Sequence, residues 1–267
     1  MGNKRFFLVV ILLVLTGLMS YASAEETLVE NEKACIILKS FEQKNDTVEM
    51  KLFLENKTDK NVMFSIEDAV LNGWETNPFW AVTVSGGKKA NETVTWRSIS
   101  DDGVSTDVSI VDLHFNIYDS EDWMAEHYFE GKVTLMPMGA EQAHYDPYLL
   151  GEGDRVLFDS NGTAMIYAGE GTDWMGRYEI SVYLKNDTDR NAMFSVDDVS
   201  VNGFMMNPYW AKEMPARSQA ISTITWSKDD FEENGIVDVS EIEMKVRVYD
   251  SENWTADDFF NSVVTIR

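Results

Sequence analysis

The chain has 267 residues, and its 22 Lys and Arg against 46 Asp and Glu give a formal net charge of -24 at pH 7. Such acidity argues against nucleic acid and anionic membrane surfaces as partners, because both would repel the chain. Hydrophobic residues make up 44% of the sequence, too much for a disordered chain and enough for a packed core. A single cysteine excludes an internal disulfide and any metal site with several cysteine ligands. The length suggests two domains.

The first 24 residues have the parts of a secretory signal peptide. Lys4 and Arg5 supply the positive start, residues 6–19 form an apolar run, and residues 20–24 end in the small-x-small pattern that signal peptidase accepts. The apolar run of about 14 residues is shorter than the roughly 20 that a membrane-spanning helix needs. We therefore expect a cleavable signal peptide at 1–24, a secreted or extracellular protein, and no stable membrane insertion after cleavage. An uncleaved anchor is the alternative.

One block of sequence then occurs twice, about 130 residues apart. LENKTDKNVMFS at Leu54–Ser65 returns as LKNDTDRNAMFS at Leu184–Ser195, and about 19 of the 45 positions in 54–98 match those in 184–228. An Asn-Gly pair, an Asn-Pro-aromatic-Trp-Ala segment, a Thr-Trp pair and a Tyr-Asp-Ser-Glu-x-Trp segment follow in both copies. The chain is therefore interpreted as two copies of one module.

Each copy reads as β-strands. Apolar and polar residues alternate near the start and the end of both copies, in Val48–Leu54, Val111–Ile117, Tyr178–Leu184 and Ile242–Val248. The alternation slips by one residue at the same place in each copy, which predicts a β-bulge near Asp68 and Asp198, just before the Asn-Gly turn. No stretch after residue 24 carries a convincing helical pattern.

These patterns suggest about seven strands in each copy. The predicted fold is all-β, with two tandem antiparallel immunoglobulin-like β-sandwiches; a barrel shares the same alternation and stays open. The expected domains are residues 27–136 and 154–267, joined by a linker at 137–153 that is rich in Gly and Pro. Part of the linker should pack against a domain because it contains Tyr145, Tyr148, Leu149 and Leu150.

Signatures of catalysis are scarce. The sequence has no nucleophile elbow, zinc-protease motif, phosphate loop or dinucleotide fingerprint. Cys35 lies in an apolar run, where cysteine usually behaves as a small buried hydrophobe. We therefore expect no enzyme, no catalytic residue, no cofactor and no metal site. Two acidic turns, 119–122 and 250–253, leave calcium as a weak alternative.

Tryptophans are the best candidates for a binding surface. Trp80, Trp96 and their counterparts in the second copy are expected in the core, since they lie in strands or beside the Asn-Pro turn. The other candidates either follow acidic turns or are found in one copy alone, and could stack on a sugar ring or contact a peptide: Trp74, Trp123, Trp174 and Trp254. Plugging the end of a sandwich is the alternative role for such a residue.

The repeated block, from its Leu-x-Asn-x-Thr-Asp start to its Tyr-Asp-Ser-Glu-x-Trp end, resembles poorly characterised immunoglobulin-like modules of exported proteins from Gram-positive, clostridial gut bacteria. The resemblance covers roughly residues 33–136 and 154–267. It implies a sandwich fold and a location outside the cytoplasm, with no assigned activity and no functional residues.

The sequence thus predicts a secreted or cell-surface, non-enzymatic binding or adhesion protein with an unknown protein or glycan ligand. A carbohydrate-binding module that uses exposed tryptophan platforms is the alternative, and a hydrolase with an unrecognised carboxylate site is a third. The acidity favours a protein partner with a basic face, whose binding weakens with salt.

Overall fold

The computed structural model describes residues 25–267; the predicted signal peptide at 1–24 lies outside them. The first half of the described chain contains nine strands: β1 (Glu26–Glu30), β2 (Ala34–Lys44), β3 (Thr47–Asn56), β4 (Val62–Leu71), β5 (Trp74–Thr76), β6 (Ala81–Val84), β7 (Lys89–Arg97), β8 (Val111–Asp119) and β9 (Phe129–Leu135). The second half contains β10 (Arg155–Ser160), β11 (Thr163–Thr172), β12 (Tyr178–Asn186), β13 (Ala192–Val201), β14 (Phe204–Met205), β15 (Ala211–Met214), β16 (Ser218–Thr225), helix α1 (Lys228–Glu233), β17 (Ile242–Asp250) and β18 (Phe260–Ile266).

The strands of both halves are joined in the same order. In the first half β1-β2-β3-β7 form one sheet and β5-β4-β8-β9 the other, with β6 also on β4. The second half repeats this with β10-β11-β12-β16 and β14-β13-β17-β18, with β15 on β13. Alternate apolar residues of both sheets are buried in each half, for example Leu52 and Phe115 in the first and Val182 and Val246 in the second. The described chain is therefore all-β, with the character of a β-sandwich.

The two halves have more strands than the seven expected. One strand at the sheet edge is split into two short pieces, because the Asn-Pro segment between β5 and β6 interrupts pairing with β4, and the same break separates β14 from β15. The break lies opposite a bulge in the partner strand. Register shifts at Ile66/Asp68 and at Asp197/Ser200 confirm the bulges predicted from the slipped alternation.

Helix α1 was not predicted from the sequence. Ser227 caps it by accepting a hydrogen bond from the amide of Asp229, and none of its six residues is buried. So short and exposed a helix shows no apolar stripe in the sequence. Within residues 25–267, no helix is long and apolar enough to cross a membrane.

An aromatic cluster joins the two halves. Trp74, the first residue of β5, lies edge-on to Tyr148 of the linker and Tyr183 of β12, with ring centroids 6.3 and 6.0 Å apart. The two tyrosine rings stack at 4.1 Å. Beside them, the backbone amide of Gln219 donates to the carbonyl of Gly73, so β16 of the second half continues a sheet of the first. Tyr183 and Ile166 thus belong to the core of the first half, although they come from the second.

The linker crosses the first half as an ordered strap. Asp146 is buried, and its carboxylate accepts hydrogen bonds from the amides of Ser105 and Thr106 at 2.8 and 3.2 Å. Its backbone amide donates to the carbonyl of Asn72, and its carbonyl accepts from the indole of Trp74. Tyr148 packs as the sequence suggested, whereas Leu149 and Leu150 are exposed. These hydrogen bonds of Asp146 therefore hold the strap against the turn that precedes β5.

Candidate functional site

The structure separates the four candidate tryptophans. Trp74 is only 3% exposed, because the second half and the strap cover it. Its burial corrects the expectation that Trp74 is an exposed platform, and the side chain instead packs where the two halves meet. Trp74 was a candidate because it is found in one copy alone. The residues that cover it, Tyr148 and Tyr183, lie far away in the chain.

Trp123 and Trp254 occupy equivalent loops and are 70% and 69% exposed. Trp123 lies between β8 and β9, and Trp254 lies between β17 and β18. The end of β8 pairs with the start of β4, and the end of β17 pairs with the start of β13. The two tryptophans, which follow β8 and β17, therefore lie at the same end of their respective halves. Their binding of a ligand stays a prediction.

The acidic turns before these tryptophans are held by the chain's own cations. Asp119 accepts hydrogen bonds from Lys60 Nζ at 2.5 Å and from the amide of Glu121 at 3.0 Å. Arg190 contacts Asp250 in the same way at 3.0 Å. The hydrogen bond from Lys60 lowers the pKa of Asp119. Residues 25–267 contain no group of three or more His, Cys, Asp or Glu side chains that could hold a metal ion.

Trp174 lies at the opposite end of the second half, at the tip of the β11–β12 hairpin. Asp173 closes the tip by accepting hydrogen bonds from the amides of Met175 and Arg177, both at 2.9 Å. These backbone hydrogen bonds lower the pKa of the Asp173 carboxyl. The side chain of Trp174 is 91% exposed.

Two exposed aromatic residues were missed in the sequence analysis. Phe79 and Tyr209 lie at the same position of the two halves, in the break between the short edge strands, and are 89% and 91% exposed. Both have left-handed backbone conformations, with φ of 47° and 52°. Their amides donate to the side-chain oxygens of Asn77 and Asn207, at 2.8 and 3.0 Å.

The neighbouring residues hold this conformation in place. Trp80 is buried, and its carbonyl accepts a hydrogen bond from the amide of Ile66 at 3.1 Å. Trp210 makes the equivalent backbone contact with Val196 at 3.3 Å. A left-handed conformation costs an L-residue roughly 1–2 kcal/mol, and glycine would avoid this cost. The turn alone therefore does not explain a bulky aromatic residue here in both halves.

A signal for these residues was present in the sequence. Asn-Pro followed by an aromatic residue and Trp occurs at 77–80 and again at 207–210. The position after Asn-Pro gave no sign of its left-handed backbone, because Gly or Asn usually occupies such positions.

Cys35, His144 and His114 each contact a polar side chain within the fold. Cys35 is buried, and burial together with a hydrogen bond to Glu30 raises the pKa of its thiol to about 12. His144 lies on the strap, with its ring nitrogens 2.9 Å from Ser109 Oγ and 2.7 Å from Thr106 Oγ1. His114 is 3.9 Å from Asp68 on the outer side of the sheet. The Cys35 thiol contacts the carboxylate of Glu30.

No protein-family model matches the sequence, and no curated protein matches it. Among solved structures, the chain is similar to a crystal structure of the YadV chaperone, with 11% identity and a TM-score of 0.24 over 82% of this chain and 91% of that one. It is also similar to a complex of the Salmonella enterica SafA pilin with the SafB chaperone, with 9% identity and a TM-score of 0.22 over 82% of this chain and 89% of that one. At TM-scores this low, the likeness does not extend to function.

Proposed function

We propose that the protein is an exported, non-catalytic binding protein with two immunoglobulin-like domains. The observation that carries the proposal is the pair Phe79 and Tyr209, one in each half, which hold aromatic side chains in solvent on left-handed backbone. Strained residues of this kind concentrate at functional sites. The predicted signal peptide and the absence of catalytic motifs in the sequence favour a binding role outside the cytoplasm.

The ligand we propose is a protein that presents two equivalent sites. Exposed aromatic side chains supply large contact area at a low cost in conformational entropy, and they are enriched where proteins bind proteins. Because each half carries one such residue, both can engage a repetitive partner, and the second contact then forms at a high effective concentration. A basic partner is favoured by the net charge of -24.

Replacement by glycine tests this proposal and separates function from folding. Phe79→Gly with Tyr209→Gly should leave the free energy of unfolding unchanged or raise it by about 1 kcal/mol, because glycine accepts φ near 50° without strain. Binding should be measured by surface plasmon resonance at two salt concentrations against immobilised collagen, which is basic and repetitive, with acidic mucin as the control. The double variant should bind at least about tenfold more weakly, and each single variant should lose the avidity of two contacts.

A matched pair of variants addresses the carbohydrate alternative. Exposure of Trp123 and Trp254 beside acidic and amide side chains favours it, since such rings stack on sugars. On a glycan array, Trp123→Ala with Trp254→Ala should abolish binding if these platforms recognise sugar. Binding of a protein ligand that persists undiminished in the glycine double variant contradicts the role of Phe79 and Tyr209.

A further inference from the structure

One end of the second half carries exposed apolar side chains on three neighbouring loops. The hairpin turn at Asn202 lies beside the loop after α1, because the Asn202 side chain donates to the carbonyl of Asp238 at 2.8 Å. The β11–β12 hairpin adjoins the start of α1, where a Cβ on Gly176 would lie 3.6 Å from the Lys228 side chain. The exposed side chains of this surface, here called the terminal face, are Trp174, Met175, Phe204, Met205 and Val237.

The equivalent end of the first half is covered. Phe204 pairs with Val201 as Trp74 pairs with Leu71, so the two aromatic residues occupy the same position after the same Asn-Gly turn. Trp74 is buried by Tyr183 and by the strap, whereas Phe204 is 46% exposed and Met205, its neighbour, 69%. In the internal contact, this end of the first half is thus covered by the outer face of the β10-β11-β12-β16 sheet of the second half.

We propose that the terminal face docks onto the first half of a second copy of this chain, and repeats the contact seen between the two halves. The first half has the matching outer face. Phe53 pairs with Ile37 as Tyr183 pairs with Ile166, so an aromatic and an isoleucine lie at the same positions. Phe53 is half-buried, with the ammonium groups of Lys39 and Lys89 5.2 and 5.7 Å from its ring centroid. We call Ile37, Phe53 and Val82 the receiving face.

The strongest support comes from one pair of facing positions, at which both residues differ between the internal contact and the proposed contact. Between the halves, Lys212 Nζ contacts Glu75 Oε1 at 2.7 Å. By strand pairing, Met205 occupies the position of Glu75, and Val82 occupies the position of Lys212. An ion pair in the internal contact thus corresponds to an apolar pair in the proposed one. Had only one side changed, a charge would face an apolar group, which is costly on burial.

The proposed contact is heterologous and open-ended, because the two faces are different surfaces of one chain. It lacks one part of the internal contact: Tyr148 of the strap has no counterpart within residues 25–267, where a single residue precedes β1. Association between separate chains should therefore be weaker than the internal contact. The lysines over Phe53 must also move aside.

Sedimentation velocity of the purified protein tests this from about 5 µM to about 1 mM, the effective concentration of a tethered contact. The mean mass should rise with concentration and pass that of a dimer. Phe204→Glu and Phe53→Glu should each remain monomeric, whereas Val263→Glu, at an exposed position of β18, should associate like the natural chain. A mixture of the two monomeric variants should stop at dimers, since each retains one intact face.

A charge exchange provides the second measurement and does not depend on the aromatic residues. Met205→Glu or Val82→Lys alone should abolish association, and the two in one chain should restore it by recreating the Glu75–Lys212 pair. Thermal unfolding verifies that each variant is folded. A natural chain that stays monomeric up to about 1 mM, or association that survives both Phe204→Glu and Met205→Glu, overturns the proposal. The double variant Phe79→Gly with Tyr209→Gly should still self-associate. Loss of self-association can therefore be distinguished from loss of ligand binding by Phe79 and Tyr209.

Discussion

At the scale of single residues, two buried asparagines support the loops that follow β3 and β12. Asn56 donates to the carbonyls of Lys60 and Val84, both at 2.7 Å, and its side-chain oxygen accepts from the amide and hydroxyl of Thr58. Asn186 makes the equivalent set with Arg190, Met214 and Thr188. Each side chain satisfies one backbone carbonyl of its own loop and one at the end of a neighbouring strand. This explains why the Asn-x-Thr-Asp segment occurs in both copies.

Removal of one such amide should be costly. Asn186→Ala leaves the carbonyls of Arg190 and Met214 without their donor, and we expect the free energy of unfolding to fall by about 2–3 kcal/mol. Urea denaturation measures the change. Asn91→Ala, an exposed asparagine on β7, should change stability by less than about 0.5 kcal/mol. Equal effects of the two substitutions would show that the amide contacts contribute little.

At the scale of elements, the three residues of β5 connect the two halves. Gly103 allows this contact, since its φ is 106° and a Cβ there would lie 2.5 Å from the ring of Trp74. The ion pair between Glu75 of β5 and Lys212 of β15 is a second link between the halves. A short edge strand therefore becomes the point at which one sheet passes from the first half to the second.

The repeat offers a matched comparison for this element. Trp74→Ala should cost about 3–5 kcal/mol, because it removes a buried ring from the contact between the halves. Phe204→Ala, at the equivalent exposed position, should cost less than about 1 kcal/mol. Differential scanning calorimetry measures both, and should also resolve two transitions in the Trp74 variant if the halves unfold separately. A single unchanged transition would mean that the ring cluster does not couple them.

The same elements show where sequence reasoning succeeds. Alternation, the phase slip and the Asn-Gly pair are local signals, and they predicted the long strands, the bulges at 68 and 198 and the turn at Asn72. The burial of Trp74 depends on Tyr148 and Tyr183, which are far from it in the chain, so no local pattern contains it. The exposed position of Phe79 depends on a backbone conformation that its residue type does not predict.

At the scale of the whole molecule, acidic groups collect where the halves meet. Burial raises the pKa values of Asp68, Glu75 and Asp102, while Lys212 lowers each of them by a smaller amount. Lys212 of the second half contacts Glu75 at 2.7 Å and acts on Asp68 and Asp102 only electrostatically, over a longer distance. The contact between the halves is therefore sensitive to protonation.

The sign of this pH dependence follows from the shift of Glu75. Its pKa in the folded protein is above the ordinary value of 4.5, so the folded state holds the proton more tightly than the unfolded chain. The stabilisation from Glu75 is complete below pH 4.5 and is lost as the pH rises through the raised pKa. Relative to Glu75→Gln, the natural chain should therefore lose stability as the pH rises from 4.5. Urea unfolding across this range provides the measurement.

Asp119 supplies a control of opposite sign. Its pKa is below the ordinary value of 3.8, so its stabilisation is present above pH 3.8 and is lost as the pH falls through the lowered pKa. Relative to Asp119→Asn, the natural chain should lose stability upon acidification. The same slope for both variants would contradict the assignment of Glu75 to the contact between the halves.

The single thiol makes the chain convenient for distance measurements. Cys35 is buried, and a pKa of about 12 leaves almost none of the reactive thiolate at neutral pH. A maleimide dye should therefore not react with Cys35 but should react with cysteines introduced on the surface. One fluorophore on β9 and another on β18 would then report by energy transfer how rigidly the two halves are held, without first replacing Cys35.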